Sequence, residues 1–221
     1  MAAFTPRLHI GDKNYSSWSM RPWLALKHGG VAFEEIQHDL PEQHTGKPVF
    51  GGFSPNARVP ALEISPGVVI AESLAICEWA GEMAPCLWPE GPPGSNARAV
   101  ARSASAIMHA GYNALRTDCP MNIRRRTDAS RMTEAGRADA AAVDALWSAC
   151  VQRSGGPFLF RTFGIVDAMF APVVTRFVTY DIPRSKAADA YMAAVLGDPH
   201  VAAWVQAAEA ETRALPRSDI A

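Results

Sequence analysis

Between Asn14 and Gly30 the chain reads NYSSWSMRPWLALKHGG. Three serines, Ser16, Ser17 and Ser19, stand directly before a hydrophobic run with helical spacing, and Pro22 lies near its start. Hydroxyls ahead of a helix can cap it, by accepting a first-turn amide that has no partner within the helix. They can also help to hold an anion, because free amides and the helix dipole at an N-terminus attract negative charge. Proline fits a helix only in the first turn, where its missing N–H would be unpaired anyway. Ser19 is therefore the expected N-cap, followed by Met20, Arg21 and Pro22. Ser16, Ser17 and Trp18 then fall in the loop ahead of the helix, and Gly29-Gly30 ends it.

Two further pairs have chemistry to offer. Val59-Pro60 stands just before a strand, and a cis bond there would turn the N–H and C=O of Val59 toward an extended peptide. Glu72-Ser73 opens a helix after a strand; Ser73 is the expected cap, and its amide can take a carboxylate. Each feature alone has an ordinary alternative. Serines cap and solubilise, a proline can simply enter a strand, and Glu72-Ser73 can be a plain helix start.

The elements that must position these residues change character along the chain. Residues 7–10 read as a strand, Val31 to Ile36 as a second, and Asp39 to Pro55 as a loop with room for a short helix. Ala61–Ile64 and Val68–Ile70 read as a hairpin around Ser65-Pro66-Gly67, and Ser73–Met83 as a helix. Ala84 to Arg98 holds Pro85, Pro89, Pro92 and Pro93 and reads as a linker. Beyond it Val100, Ala104, Ile107, Met108, Gly111, Tyr112 and Leu115 recur at helical spacing, as one face of a long helix. Residues 137–151, 163–180, 185–196 and 199–214 read as further helices. The expected organisation is an α/β domain over residues 1–84, a linker over 85–97, and an all-helical domain over 98–221.

Composition narrows the partners. Lys and Arg total 21 against 22 for Asp and Glu, so no strong field draws nucleic acid or an acidic membrane. No apolar run approaches membrane-spanning length. Cys77, Cys86, Cys119 and Cys150 show no C-x-x-C spacing and no clustered histidines, so a metal site is not expected. Cys77 and Cys150 sit in apolar helical patterns and are expected to be buried. The absence of an export signal near Met1 makes a cytoplasmic location the expectation.

The three elements, in this order, resemble the glutathione S-transferase family. SSWSMRPWLAL is similar to the serine motif of its zeta-type and related bacterial members, RVPAL to the cis-proline segment, and AESLAICEWA to the segment that holds the γ-glutamyl end of glutathione. GGPFLFRTFGIVDAMFAPVV resembles the helical-domain capping segment and core helix. There the family normally has Ser or Thr three residues before the aspartate, and this chain has Gly164 before Asp167. Trp18 stands where zeta members often carry cysteine, which disfavours a mixed disulfide formed in that loop. The resemblance implies a thioredoxin-like domain followed by a helical domain, glutathione as co-substrate, a homodimer, and detoxification-type chemistry on a small electrophile.

Glutathione must react as a thiolate. A free thiol has a pKa of about 8.5, so full ionisation at pH 7 needs a shift of roughly 2 units, about 3 kcal/mol. A hydroxyl donating to the thiolate supplies about 1.5–3 kcal/mol, and a helix N-terminus about 0.3–1 kcal/mol. The resemblance places Ser16 at the catalytic position, with Ser17 the close alternative and Tyr15 a third candidate or a packing residue. Arg21 would add positive field or be a solvated helix arginine. Val59 would hold the cysteinyl backbone, Glu72 and Ser73 the γ-glutamyl amine and carboxylate, and Arg58 the glycyl carboxylate, with a surface role the alternative for Arg58; Trp18 and Pro60 are further glutathione-binding candidates. His109, Tyr112, Asn113, Arg116 and Thr117 are candidates to line the acceptor pocket, with helix packing the alternative for the first two. Arg124-Arg125-Arg126 is expected to be a solvated face with a possible anion role. The implied activity is addition of glutathione to an electrophile or peroxide reduction. A zeta-like isomerase and a non-catalytic glutathione-binding or interaction protein are the alternatives.

Overall fold

A computed structural model describes residues 4–42, 48–92, 94–216 and 218–219. Part of the expected loop 39–55 and Pro93 of the expected linker lie outside the described residues. The amino-terminal half holds β1 (Arg7–Gly11), α1 (Ser17–His28), β2 (Glu34–His38), β3 (Ala61–Ser65), β4 (Val68–Ala71) and α2 (Ser73–Met83). The sheet order is β2-β1-β3-β4. β1 runs parallel to β2 and antiparallel to β3, with Leu8 opposite both Glu35 and Leu62. The hairpin of β3 and β4 turns at Gly67, whose φ of 77° suits glycine. This is the expected thioredoxin-like sheet. β2 starts later than the Val31 and Phe33 pattern suggests, because those two side chains pack on the core ahead of an edge strand whose Glu34 and Glu35 are exposed.

A short 3₁₀ turn (Pro85–Leu87) leads to the helical half: α3 (Asn96–Ala110), α4 (Asn113–Asp118), α5 (Glu134–Ser154), α6 (Ile165–Thr179), α7 (Lys186–Leu196) and α8 (Pro199–Ala210). α6 is the central post. Thirteen consecutive residues from Ile165 to Phe177 are buried, and Trp147 packs on Phe170, Phe177 and Tyr191. α6 also packs against α1, so one helix of the first half rests directly on the core of the second. Among the described residues no helix is long and apolar enough to cross a membrane.

Three helix boundaries differ from the sequence expectation. α1 begins at Ser17 with Ser16 as its cap, so Pro22 lies six residues into the helix and not in its first turn. The helix continues past it at the cost of one main-chain bond, that of Pro22 to the Trp18 carbonyl. The long helix expected through Leu115 breaks at Gly111-Tyr112, where Tyr112 is left-handed with φ 55°. A Cβ on Gly111 would lie 2.7 Å from the Ile107 carbonyl oxygen, so the break needs glycine there. The last helix stops at Ala210, not Ala214, because Glu211 turns away and receives the Lys13 and Asn14 amides on its carboxylate, at 2.7 and 3.0 Å.

Candidate functional site

The loop Asp12–Ser16 joins β1 to α1 and sets the floor of a cleft. Ser16 caps α1: its Oγ accepts the Ser19 amide at 3.3 Å and donates to Ser19 Oγ at 2.7 Å. Ser19, the cap expected from sequence, is instead buried inside the first turn, where its Oγ accepts the Gly11 amide at 3.1 Å. That ties the helix start to the end of β1. Ser17 comes next, and its Oγ has no hydrogen-bond partner among the described residues. The amide of Trp18 likewise has no acceptor there, as first-turn amides do not.

A cleft of about 520 Å³ opens at this point. Its walls bring together Tyr15, Ser16, Ser17, Trp18 and Val59 from the first half with Asn113, Arg116 and Thr117 from α4. The Gly111-Tyr112 break is what aims these α4 residues at the cleft. The Val59-Pro60 bond is cis. Arg176 of α6, Leu40, Pro120, Met121 and Ser218 complete the lining and were not anticipated. Arg176 had a readable signal: it is the one cation in the mostly apolar run IVDAMFAPVVTRFVT.

Other candidates sit at the margin. Tyr15 is buried, and its hydroxyl donates to Asp219 at 3.0 Å while accepting from Arg124 and from the Leu215 amide. Arg124 is therefore not part of a solvated face; it also donates to the main-chain oxygens of Glu211 and Arg213. Glu72, not Ser73, caps α2, accepting the Ser73 and Leu74 amides at 2.8 and 3.0 Å. It does so at φ 106°, a strained conformation for a residue with a Cβ. His109 lies 3.6 Å from the Glu72 carboxylate and edge-on to Trp18. Tyr112 is half-buried, Arg58 is exposed, Pro60 is buried, and none of the three lines the cleft.

Arg21 is buried, not solvated, and all three of its guanidinium nitrogens lack a hydrogen-bond partner. Burial, with repulsion from Arg116 and Arg176, lowers its pKa to about 9. Burial also holds the Cys77 thiol protonated and raises that of Cys119 to about 11; neither lines the cleft. Cys150 is only partly buried. A larger cavity of about 1400 Å³ lies by the linker, α3 and α5, against Trp88, Leu146, Phe160 and Phe163, and contains none of the candidate residues.

Residues 15–83 match the family described as glutathione S-transferase, N-terminal domain. That segment of the chain is similar to the amino-terminal domain of glutathione S-transferases. No curated protein sequence matches it. Solved structures of the same fold include a glutathione transferase homolog from Burkholderia with bound glutathione, 22% identical over 94% of this chain and 100% of that one, with a TM-score of 0.68. The tau-class transferase of mango, Mangifera indica, is 21% identical over 94% and 97% of the two chains, with a TM-score of 0.67. The glutathione S-transferase of Xylella fastidiosa is 18% identical over 92% and 98%, with a TM-score of 0.70. In this chain the cleft holds the serine motif, the cis-proline segment and the start of the helical half in one place.

Proposed function

We propose that this chain is a glutathione transferase that ionises the glutathione thiol and adds the sulfur to an electrophilic carbon. The observation that carries this is the pair of unused donors, Ser17 Oγ and the Trp18 amide, at the N-terminus of a twelve-residue helix on the cleft wall. The Ser16 proton is committed to Ser19, and the Tyr15 hydroxyl to Asp219. Ser17 is therefore the hydroxyl left to donate to sulfur, and Ser16 is its positioning residue. A charged hydrogen bond of about 1.5–3 kcal/mol with the helix terminus matches the roughly 3 kcal/mol that ionisation needs. The buried Arg21 adds positive field from behind Trp18.

The tripeptide would pair its cysteinyl main chain with Val59 beside Pro60. Its γ-glutamyl ammonium would meet the strained Glu72 carboxylate, and its glycyl carboxylate Arg58. The sulfur then bonds to the acceptor carbon, and a leaving group departs with its electron pair or the resulting carbanion takes a proton. The serine mechanism is the part of the zeta resemblance retained here. A homodimer fits the apolar side chains exposed on β4, α2 and α3, namely Val68, Met83, Val100 and Ile107.

Ultraviolet titration of the bound thiol tests the reading. A bound pKa roughly 2 units below the free value is expected, with Ser17→Ala raising it by about 1–2 units, equivalent to one charged hydrogen bond. An unshifted thiol, or no glutathione binding, would remove the transferase reading.

A further inference from the structure

The loop between β1 and α1 is too short to satisfy its own main chain. Tyr15 and Ser16 turn their amides back onto the Asp12 carbonyl, at 3.2 and 2.8 Å. The amides of Lys13, half-buried, and Asn14, buried, are left over, and such a donor without an acceptor is costly. Both find their acceptor at the other end of the chain. Glu211, the residue at which the chain leaves α8, takes the Lys13 amide on Oε1 and the Asn14 amide on Oε2, across 198 and 197 residues of sequence. Its Oε1 also accepts the Gln37 side chain at 2.6 Å. Two turns earlier on α8, Trp204 donates its indole N–H to the Lys13 carbonyl at 3.1 Å. The same indole packs edge-on against Trp23 of α1, with ring centroids 5.3 Å apart.

α8 thus grips both main-chain groups of Lys13 and also touches the helix that follows. Neither Glu211 nor Trp204 lines the cleft. A carboxylate brought toward a forming thiolate opposes its ionisation. The placement of Glu211 behind the loop therefore calls for a reason other than its charge. Ser17 Oγ and the Trp18 amide follow this segment directly, and their aim depends on where it lies. A hydrogen bond weakens steeply as its angle closes, and a displacement of about 1 Å in a site can cost on the order of 100-fold in rate.

We infer, resting on the transferase reading above, that Glu211 is a positioning residue for thiol activation. Its carboxylate fixes the Lys13–Asn14 segment, with Trp204 as its partner on the same helix, so that Ser17 and the Trp18 amide point at the sulfur. The helical half then contributes to the ionisation step without touching the tripeptide.

Two measurements on the full chain test this: amide hydrogen exchange of the free protein and ultraviolet titration of bound glutathione. In Glu211→Ala, residues 12–18 should exchange about tenfold faster or more, as expected for main-chain bonds lost locally. The bound thiol pKa should rise by about 1 unit, which is about tenfold less thiolate at a fixed pH. Glu211→Gln keeps one acceptor oxygen and should fall between parent and alanine variant; it carries the test if Glu211→Ala does not fold. The sign separates position from charge, because a carboxylate acting only through its field would lower the thiol pKa on removal. Asp144→Ala is the control for stability. Asp144 accepts the Ser185 amide at 2.8 Å and hydroxyl at 2.6 Å, at the start of α7. Its loss should lower Tm and leave the exchange of residues 12–18 and the thiol pKa unchanged. With the parent thiol shifted, an unchanged or lowered pKa in the Glu211 variants overturns the inference, and so does unaltered exchange of the loop. An unshifted thiol in the parent is a different failure: it removes the transferase reading, and the positioning role with it.

Discussion

The loop Asp12–Ser16 and the arginine group meet in one cleft, yet their polar atoms are treated in opposite ways. In the loop nearly everything is bonded. Glu211 takes the Lys13 and Asn14 amides, Asn14 donates to Asn122 at 2.9 Å, Arg213 pairs with Asp12 at 2.8 Å, and Ser16 closes on Ser19. Behind the cleft the Arg21 side chain makes no hydrogen bond, and on its wall Arg116 and Arg176 reach only neutral carbonyls. The loop is therefore a well-bonded mount that leaves the Ser17 hydroxyl and the Trp18 amide without partners among the described residues. The arginines keep their charge with no carboxylate bonded to them, which costs stability.

The sharpest way to break this contrast is Arg21→Met. If Arg21 is an unsatisfied buried cation, an apolar side chain of similar length should stabilise the protein by about 1–4 kcal/mol, as replacement of buried charge by packing often does. Turnover should fall at the same time, because the field near sulfur is lost. Urea unfolding of the free protein, paired with a glutathione-dependent rate, reads both. Destabilisation by a few kcal/mol would mean that Arg21 is already satisfied, and the contrast between the walls would go with it.

The arginine wall depends on α6 being placed correctly, and its start is tightly constrained. Asp167 accepts the Gly164 amide at 3.0 Å, which is half of a capping box, and also the Leu159 amide at 3.0 Å. A Cβ on Gly164 would lie 2.6 Å from the Leu87 carbonyl oxygen. The departure from the family pattern at this position thus has a cause: the linker backbone fills the space that serine or threonine would occupy. Gly164→Ser should not gain a cap bond. It should cost about 1–3 kcal/mol through overpacking, a drop of roughly 2–4 °C in Tm per kcal/mol at this chain length. A rise in Tm would show that the linker can yield.

The sheet, the hairpin and the change to helices were legible because strand alternation and helical spacing are local signals. The site was legible to the extent that it is local. Ser17, Val59 and α4 lie in contiguous motifs, and the fold brings them to one cleft. The cap of α1 was misplaced because Pro22 argues for a late start, whereas burial of nine of the twelve helix residues holds the helix together through the proline. The break at Gly111-Tyr112 was hidden because the apolar spacing runs straight through it. Arg176 was visible as an oddity in α6, but its arrival beside a loop some 160 residues earlier is a property of the packing of α1 on α6, which no local pattern records.

The two serines test the division of labour within the bonded wall. Ser16→Ala removes a cap and the bond to Ser19, and should lower stability by about 1 kcal/mol. Ser17→Ala removes a hydroxyl with no partner and should leave the unfolding midpoint unchanged while raising the bound thiol pKa. The opposite pattern would move the catalytic role to Ser16, as the family resemblance alone suggested.

The smallest effect is expected at the far edge of the sheet, where polar groups are paired but not equivalently. His9 Nδ1 and His38 Nε2 lie 2.9 Å apart, with both rings stacked on Phe53. One proton can be shared in that gap, but two charged rings cannot coexist there. Burial lowers the pKa of both histidines below 6.5, and for His9 the charge of His38 adds to it. The unfolded chain therefore binds more protons than the folded one as pH falls below about 6.5, so stability present at neutral pH is lost on acidification. His38→Gln keeps a hydrogen-bonding group and removes the second charge. Between pH 7.5 and 5.5 its urea midpoint should shift less than that of the parent. His9 and His38 do not line the cleft, so the variant should leave the bound thiol pKa where it was; a change there would mean that the sheet edge and the cleft are coupled through β1.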